Sequence, residues 1–261
     1  MRPCASRFRT GLVVAALMIG LPAVVAPPLA AAASPGAVPA ATPGGSDQPG
    51  AKIRKQLKVS IKVEPEVLEV QRSSKRTVAL TFDDGPDPAW TPQVLALLRR
   101  YRAVATFCMV GENVRAHPEL VEQVVDAGMR LCDHSRTHPV SLVPIAEDQQ
   151  RDEIVGARSD LSDVTKAAVP YFRAPGGNWS PEVIRIATKK KMQPLGWSVD
   201  PRDWSLPGAP VIVSRVQAGA QPGAIILMHD GGGPRQQTVT ALRTLLPWLV
   251  DNGYSFSFPT K

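Results

Sequence analysis

Two adjacent carboxylates, Asp83 and Asp84, stand in the segment TFDDGP, Thr81 to Pro86. Neighbouring carboxylates at a buried position repel each other and resist desolvation unless a cation or a base compensates them. Gly85 and Pro86 make a tight turn that lets both acids point toward one centre, although a lone DDGP equally suits a solvated Asp-rich turn. Further along, DHSRTHP carries His134 and His138. A separation of four residues brings two imidazoles to one side of a turn, a spacing suited to zinc, while an isolated H-x-x-x-H is more often a pair of surface histidines. The chain has only 4 histidines. Three of them (His134, His138, His229) close apolar runs, and only His117, before Pro118, reads as an ordinary loop residue. That clustering argues for metal.

Three more segments have the same character. LMHD ends in His229 and Asp230 after the apolar run AIIL, and glycines 231–233 follow. A histidine so placed can act as a general acid or base near neutral pH. DPRDW, Asp200 to Trp204, offers a carboxylate to hold and polarise that imidazole. RAPGG, Arg173 to Gly177, offers a guanidinium to pair with the acids and a glycine turn that exposes backbone N–H groups. Each segment alone has a structural explanation; five polar clusters together are hard to explain as packing.

The elements that must position them alternate along the chain. Runs at 77–82, 105–110, 129–132, 170–173, 194–199, 224–229 and 254–258 read as strands. Thr91-Pro92 and Ser180-Pro181 read as helix N-caps followed by proline, Pro118 opens another helix that Gly128 ends, and 147–166 reads as a longer helix. Strand then helix, repeated about seven times, implies a parallel sheet with outer helices, whose sites lie at the C-terminal ends of its strands. Each of the five clusters ends one of these strands.

In order and spacing the five segments resemble the polysaccharide deacetylases (NodB-homology domain, carbohydrate esterase family four), over about Thr77 to Pro259. The resemblance implies an α/β fold, a distorted (β/α) barrel of about seven parallel strands with outer helices. It implies a metal-dependent hydrolase that removes acetyl groups from polysaccharide. Carried over, Asp84, His134 and His138 would hold a divalent metal, zinc foremost with Co2+, Ni2+ or Mn2+ as alternatives. Asp83 would be the general base and His229 the general acid, with Arg173 orienting Asp83 and Asp200 orienting His229. Gly176 would offer its N–H to the oxyanion, and Trp204 and Leu227 would line the pocket for the acetyl methyl. Gly176 stands where many members have Tyr, and Cys132 and Asp133 stand where Gly and Asn are frequent. Within that family the choice lies between amide and ester, and the export-like start with its cationic extension favours N-acetylglucosamine polymers, peptidoglycan or chitin oligosaccharides, over acetylxylan. A non-catalytic glycan-binding module on the same fold would be expected to lack the base or the acid. A serine esterase is disfavoured because GWSVD, Gly196 to Asp200, lacks the second glycine of a nucleophile elbow.

Charge and composition set the remaining limits. The chain has 261 residues, 44% of them hydrophobic and 20% charged, which excludes wholly disordered and multi-span membrane classes. Its 30 basic and 23 acidic residues give +7. Residues 1–33 hold three of the bases, and 34–76 hold eight bases and four acids, leaving 19 of each in 77–261. A neutral folded part argues against a nucleic-acid partner. Residues 1–33 have the layout of a secretory signal, so the expected location is secreted or cell-wall associated, or membrane-anchored if the signal stays attached. Residues 34–76 read as a Pro/Ala/Gly linker and a basic extension, with 77–261 as the catalytic domain. The basic stretch 52–62 reads as a solvated extension, or as a contact for anionic wall polymer. The chain is expected to act as a monomer. Cys108 and Cys132, each late in a neighbouring predicted strand, could form a disulfide or remain buried thiols.

Overall fold

A computed structural model describes residues 61–73 and 75–261. The expected export signal over 1–33, the linker and most of the basic stretch lie outside the described residues. Seven strands form one sheet: β1 (Thr77–Asp83), β2 (Ala105–Met109), β3 (Arg130–Asp133), β4 (Tyr171–Phe172), β5 (Gln193–Pro194), β6 (Ile225–His229) and β7 (Ser255–Phe256). The order is β5-β4-β3-β2-β1-β6, with β7 paired to the start of β1, and every pairing is parallel. Around it stand helices α1 (Thr91–Arg100), α2 (Gly111–Ala116), α3 (Pro118–Asp126), α4 (Glu147–Thr165), α5 (Pro181–Lys189), α6 (Ala209–Gly219) and α7 (Gln236–Asp251). The sheet curls into the expected distorted barrel. No helix among the described residues is long and apolar enough to cross a membrane.

Both faces of the sheet are buried, as parallel strands require, and side chains alternate between them. Leu80, Phe82, Phe107, Leu131, Phe172, Ile226 and Met228 face the helices in the larger core. Ala79, Cys108, Cys132, Tyr171, Leu195 and Ile225 face inward, in a smaller cluster with Leu68. The same period of two carries Thr81 and Asp83, Arg173, and Leu227 and His229 onto the inner face. Cys108 and Cys132 are direct register partners on β2 and β3 and are joined by a disulfide.

The structure corrects three expectations. The fold begins before Thr77, since residues of the expected extension are part of it: Leu68 bridges Leu195 in parallel and Val70 bridges Ala224 antiparallel. The Leu68 N–H donates to the Pro194 carbonyl, the Gly196 N–H donates to Leu68, and the Gln71 N–H donates to Gly223. This segment crosses the seam between the two sheet edges, aided by a Val199–Ile226 bridge. The long strand expected over 194–199 is reduced to two residues for the same reason, because its later part leaves β4 to reach β6. Thr91 is not an N-cap; α1 starts on it, and its hydroxyl donates instead to Asp230 Oδ2 at 2.5 Å. Ser180 does cap α5, accepting from the Val183 N–H.

Candidate active site

The inner faces of β1, β4 and β6 meet at the C-terminal end of the barrel around a cleft of about 440 Å3. Asp83, Asp84, His138, Gly176, Asp200, Trp204, Leu227 and His229 all line it. The remaining expected residues, Arg173 and His134, are buried in its wall.

Asp84, His134 and His138 form a triad whose candidate ligand atoms lie within 4.8 Å of one another. His134 Nδ1 donates to the Arg173 carbonyl at 2.8 Å, which turns Nε2 toward Asp84 Oδ1 at 3.4 Å. His138 Nε2 lies 3.2 Å from the same oxygen. Asp84 Oδ1 is buried and accepts no hydrogen bond. Two imidazole nitrogens and an orphaned carboxylate oxygen aimed at one point fit a divalent cation, and three protein ligands leave coordination positions open for chemistry. The backbone is committed to this arrangement: Asp84 (φ 71°) and His138 (φ 59°) both adopt the left-handed region, which costs about 1–2 kcal/mol each and is tolerated chiefly at functional positions. Gly232 makes room, because a Cβ there would meet Asp84 Oδ2 at 2.4 Å. Burial alone would raise the Asp84 carboxyl, but the adjoining His134 and His138 imidazoles outweigh it and hold it well below the usual carboxylate range.

Asp83 is held differently. Arg173, wholly buried, donates from Nη1 to Asp83 Oδ1 at 2.7 Å and to Thr81 Oγ1 at 2.9 Å. Its Nε and Nη2 donate to the carbonyls of Leu195 and Gly196. This satisfies the guanidinium, fixes the carboxylate, and leaves Asp83 Oδ2 facing the cleft, 3.6 Å from His134 Nε2.

The partner of His229 is Asp203, not Asp200. His229 Nδ1 bonds Asp203 Oδ1 at 2.7 Å, while Asp203 Oδ2 accepts from the His229 N–H and from Thr238 Oγ1. Asp200 lies exposed at the mouth, its carboxylate accepting from the Arg202 N–H. Burial would lower the His229 pKa, but the hydrogen bond and charge of Asp203, with the charges of Asp83 and Asp84, raise it. Such an imidazolium, with Nδ1 tied back, offers its other nitrogen as an acid.

Some residues escaped the sequence reading. Arg235 lines the cleft, anchored by its bonds to the Gly231 and Gly232 carbonyls, with Nη2 4.0 Å from Asp84 Oδ2. Thr238 and Val140 carried no sequence signal. Asp133, which had no assigned role, accepts the Ser135 N–H and shapes the turn that presents the histidines; burial pushes its carboxyl well up. Asp230 is buried beside the acids, and burial, reinforced by the Asp84 and Asp83 charges against the opposing Thr91 bond, pushes its carboxyl up to about 7.

Comparison with known proteins agrees with this geometry. Residues 71–195 match the family model for polysaccharide deacetylase. The chain is 39% identical to a chitooligosaccharide deacetylase of Sinorhizobium fredii over 188 residues, 68% of this chain and 87% of that protein. It is 41% identical to a peptidoglycan-N-acetylglucosamine deacetylase of Bacillus cereus over 186 residues, 70% of this chain and 86% of that protein. Among solved structures it is similar to a CE4-family pseudoenzyme from Bacillus anthracis, with a TM-score of 0.69 and 29% identity, over 74% of this chain and 67% of that one.

Proposed function

As this chain belongs to the polysaccharide deacetylase family, we propose that it removes N-acetyl groups from N-acetylglucosamine polymers, peptidoglycan or chitin oligosaccharides. The observation that carries the reading is one cleft holding two prepared proton-transfer groups, Asp83 on Arg173 and His229 on Asp203, around the Asp84–His134–His138 triad. The names of the relatives support the substrate class.

The family is metal-dependent, and we read the triad as its site, with zinc suited to two histidines and a carboxylate. A divalent cation held there would supply Lewis-acid polarisation of the acetyl carbonyl and a more acidic water. Asp83 takes the proton of the attacking water through the oxygen that Arg173 leaves free. Gly176, which lines the cleft, would offer its N–H to the oxygen that gains charge. Trp204 and Leu227 enclose the acetyl methyl. His229 then delivers its proton to the departing amine nitrogen, without which an amide cannot leave; this need for a strong acid favours the N-acetyl over the O-acetyl reading.

A non-catalytic glycan-binding role has one observation in its favour, the similar pseudoenzyme. Against it, the base, the acid and their partners are all in place here. We also place the activity outside the cell: the signal-like residues 1–33 support export, and the Cys108–Cys132 disulfide suits an oxidising compartment.

Acetate release from peptidoglycan, chitooligosaccharides and acetylxylan, with and without a chelator, tests the proposal. Release from either N-acetylated polymer that a chelator abolishes and added metal restores is expected. Release from acetylxylan alone would move the activity to O-deacetylation, and no release with bound metal confirmed would favour the binding role.

A further inference from the structure

A second, smaller cavity of about 210 Å3 adjoins the cleft, lined by Glu69, Gly176, Gly177, Trp179, Gly196 and Trp197. It shares Gly176 and Trp197 with the cleft, so the two spaces adjoin at these residues. Glu69 lies on the segment that crosses the seam of the barrel. Its neighbour Leu68 exchanges backbone hydrogen bonds with Pro194 and Gly196. Its own stem lies on Gly196, where a Cβ would come within 2.9 Å of Glu69 Cγ. Backbone pairing therefore sets the position of this side chain. Glu69 is exposed, and among the described residues its carboxylate has no hydrogen bond and no ion pair and stays free for a cation, with no Lys, Arg or His lining the cavity. The two indoles are fixed as well: Trp179 meets Phe172 edge-on at 5.8 Å, and Trp197 has the Arg173 guanidinium 5.5 Å from its ring centroid.

Flat indole rings with one unpartnered carboxylate suit a ring that is apolar on its face and positively charged at its edge. Deacetylation as proposed above creates such a ring, a glucosamine whose amine takes up a proton. We propose that this cavity is a subsite for a glucosamine residue adjacent to the N-acetylglucosamine under attack, with Glu69 binding its ammonium group. The inference rests on the N-deacetylase reading and deepens it: the enzyme favours chains that already carry a converted sugar, and so extends deacetylation from existing glucosamine. Glu69 precedes the residues matched to the family, so this wall comes from the chain's own N-terminal segment.

Two tetramers test the subsite, one of N-acetylglucosamine throughout and one with a single glucosamine beside an N-acetylglucosamine. The mixed tetramer is expected to show a KM about fivefold lower, in line with one exposed charge pair and one cation–π contact. In Glu69→Gln that ratio falls to about one, with the fold checked by thermal melting. Equal KM values in the wild type, or a preference that survives Glu69→Gln, would overturn the proposal. Binding provides a readout independent of turnover. With metal removed, tryptophan fluorescence is titrated with fully deacetylated and with fully acetylated tetramer. Tighter binding of the deacetylated one, lost in Glu69→Gln, supports the subsite; equal binding refutes it. If the wild type releases no acetate from either tetramer, the deacetylase reading falls and this second arm still decides the subsite.

Discussion

Asp83 and His229 face one cleft but are prepared by opposite means. The buried Arg173 guanidinium fixes the first in place, and the buried Asp203 carboxylate favours the protonated form of the second. The identity of that carboxylate is the point at which sequence reasoning went astray. In DPRDW both acids lie in one turn with the same side-chain chemistry, and no spacing rule separates Asp200 from Asp203. Backbone conformation does: Arg202 sits at φ 54°, and the turn it makes sends Asp203 inward to begin a short 3-10 helix, Asp203–Ser205, while Asp200 stays in solvent. The convergence of Asp84, His134 and His138 and the Asp83–Arg173 pair were legible because each rests on a residue type with few other uses at such a position. Asp203→Asn is expected to lower kcat about 10²-fold or more, the scale of losing both the orientation and the charge of an imidazole, whereas Asp200→Asn stays within severalfold. The pH profile adds a signature. His229 must carry a proton to act as acid, and Asp203 raises its pKa, so activity falls as pH rises through that raised value. Removing the Asp203 charge moves this alkaline limb to lower pH, while Asp200→Asn leaves it in place. Equal effects from the two variants would restore Asp200 to the role.

The strands and helices were readable largely because a parallel strand buried on both faces is a short apolar run, and seven such runs separated by helical patterns have few other solutions. Alternation within each run also dictated more than was drawn from it. Counting in twos from Ala79, Tyr171 and Ile225 places Asp83, Arg173 and His229 on one inner face. What local pattern could not supply was a tie between elements remote in sequence. Thr91, at the start of α1, has the look of a cap, yet it serves Asp230 at the end of β6. That pair links the two loops flanking Asp84, where Asp230 Oδ1 lies within 2.5 Å of the Cβ that Gly85 lacks. The Asp230 carboxyl titrates at about 7 in the folded chain, against about 3.9 when unfolded. The folded state therefore binds this proton more tightly, and the stability it contributes is full below pH 4 and is lost as pH rises toward 7. Asp230→Asn keeps an acceptor for the Thr91 hydroxyl and has nothing to ionise. In chelated protein its melting temperature should fall less between pH 5 and pH 8 than that of the wild type, by several degrees. Thr91→Val, by contrast, strands a buried carboxyl and should cost about 1–3 kcal/mol at either pH. A wild type whose melting temperature tracks that of Asp230→Asn across this range would contradict the raised value.

At the scale of the molecule, the charge imbalance belongs to residues 1–76, while residues 77–261, with 19 bases and 19 acids, are neutral, as suits an uncharged sugar under attack. Composition placed the boundary between extension and domain at Thr77, because residues 61–73 are mixed in polarity and have no strand of their own. Their order comes from the seam they cross, a tertiary demand that no local window contains. Leu68 is 4% exposed inside the barrel, and the Gln193 side chain, itself buried, donates to the Glu66 carbonyl and accepts the Glu64 N–H. Ile61 packs on the same interior cluster, so even the end of the basic stretch belongs to the fold. A chain starting at Ile61 should therefore melt close to the full-length protein, and one starting at Arg72 about 10 °C lower, since it loses a buried leucine worth about 2–5 kcal/mol along with the bonds that cover Gln193. The shorter chain should also be less active than its melting alone explains. The Gly196 carbonyl, which helps hold Arg173 against Asp83, lies in the stretch that Leu68 pins, and losing that pin loosens Asp83, the proposed general base. Differential scanning calorimetry of the two truncations, with acetate release assayed well below both melting temperatures, separates the two effects; coincident melting curves would mean that the barrel closes without the segment.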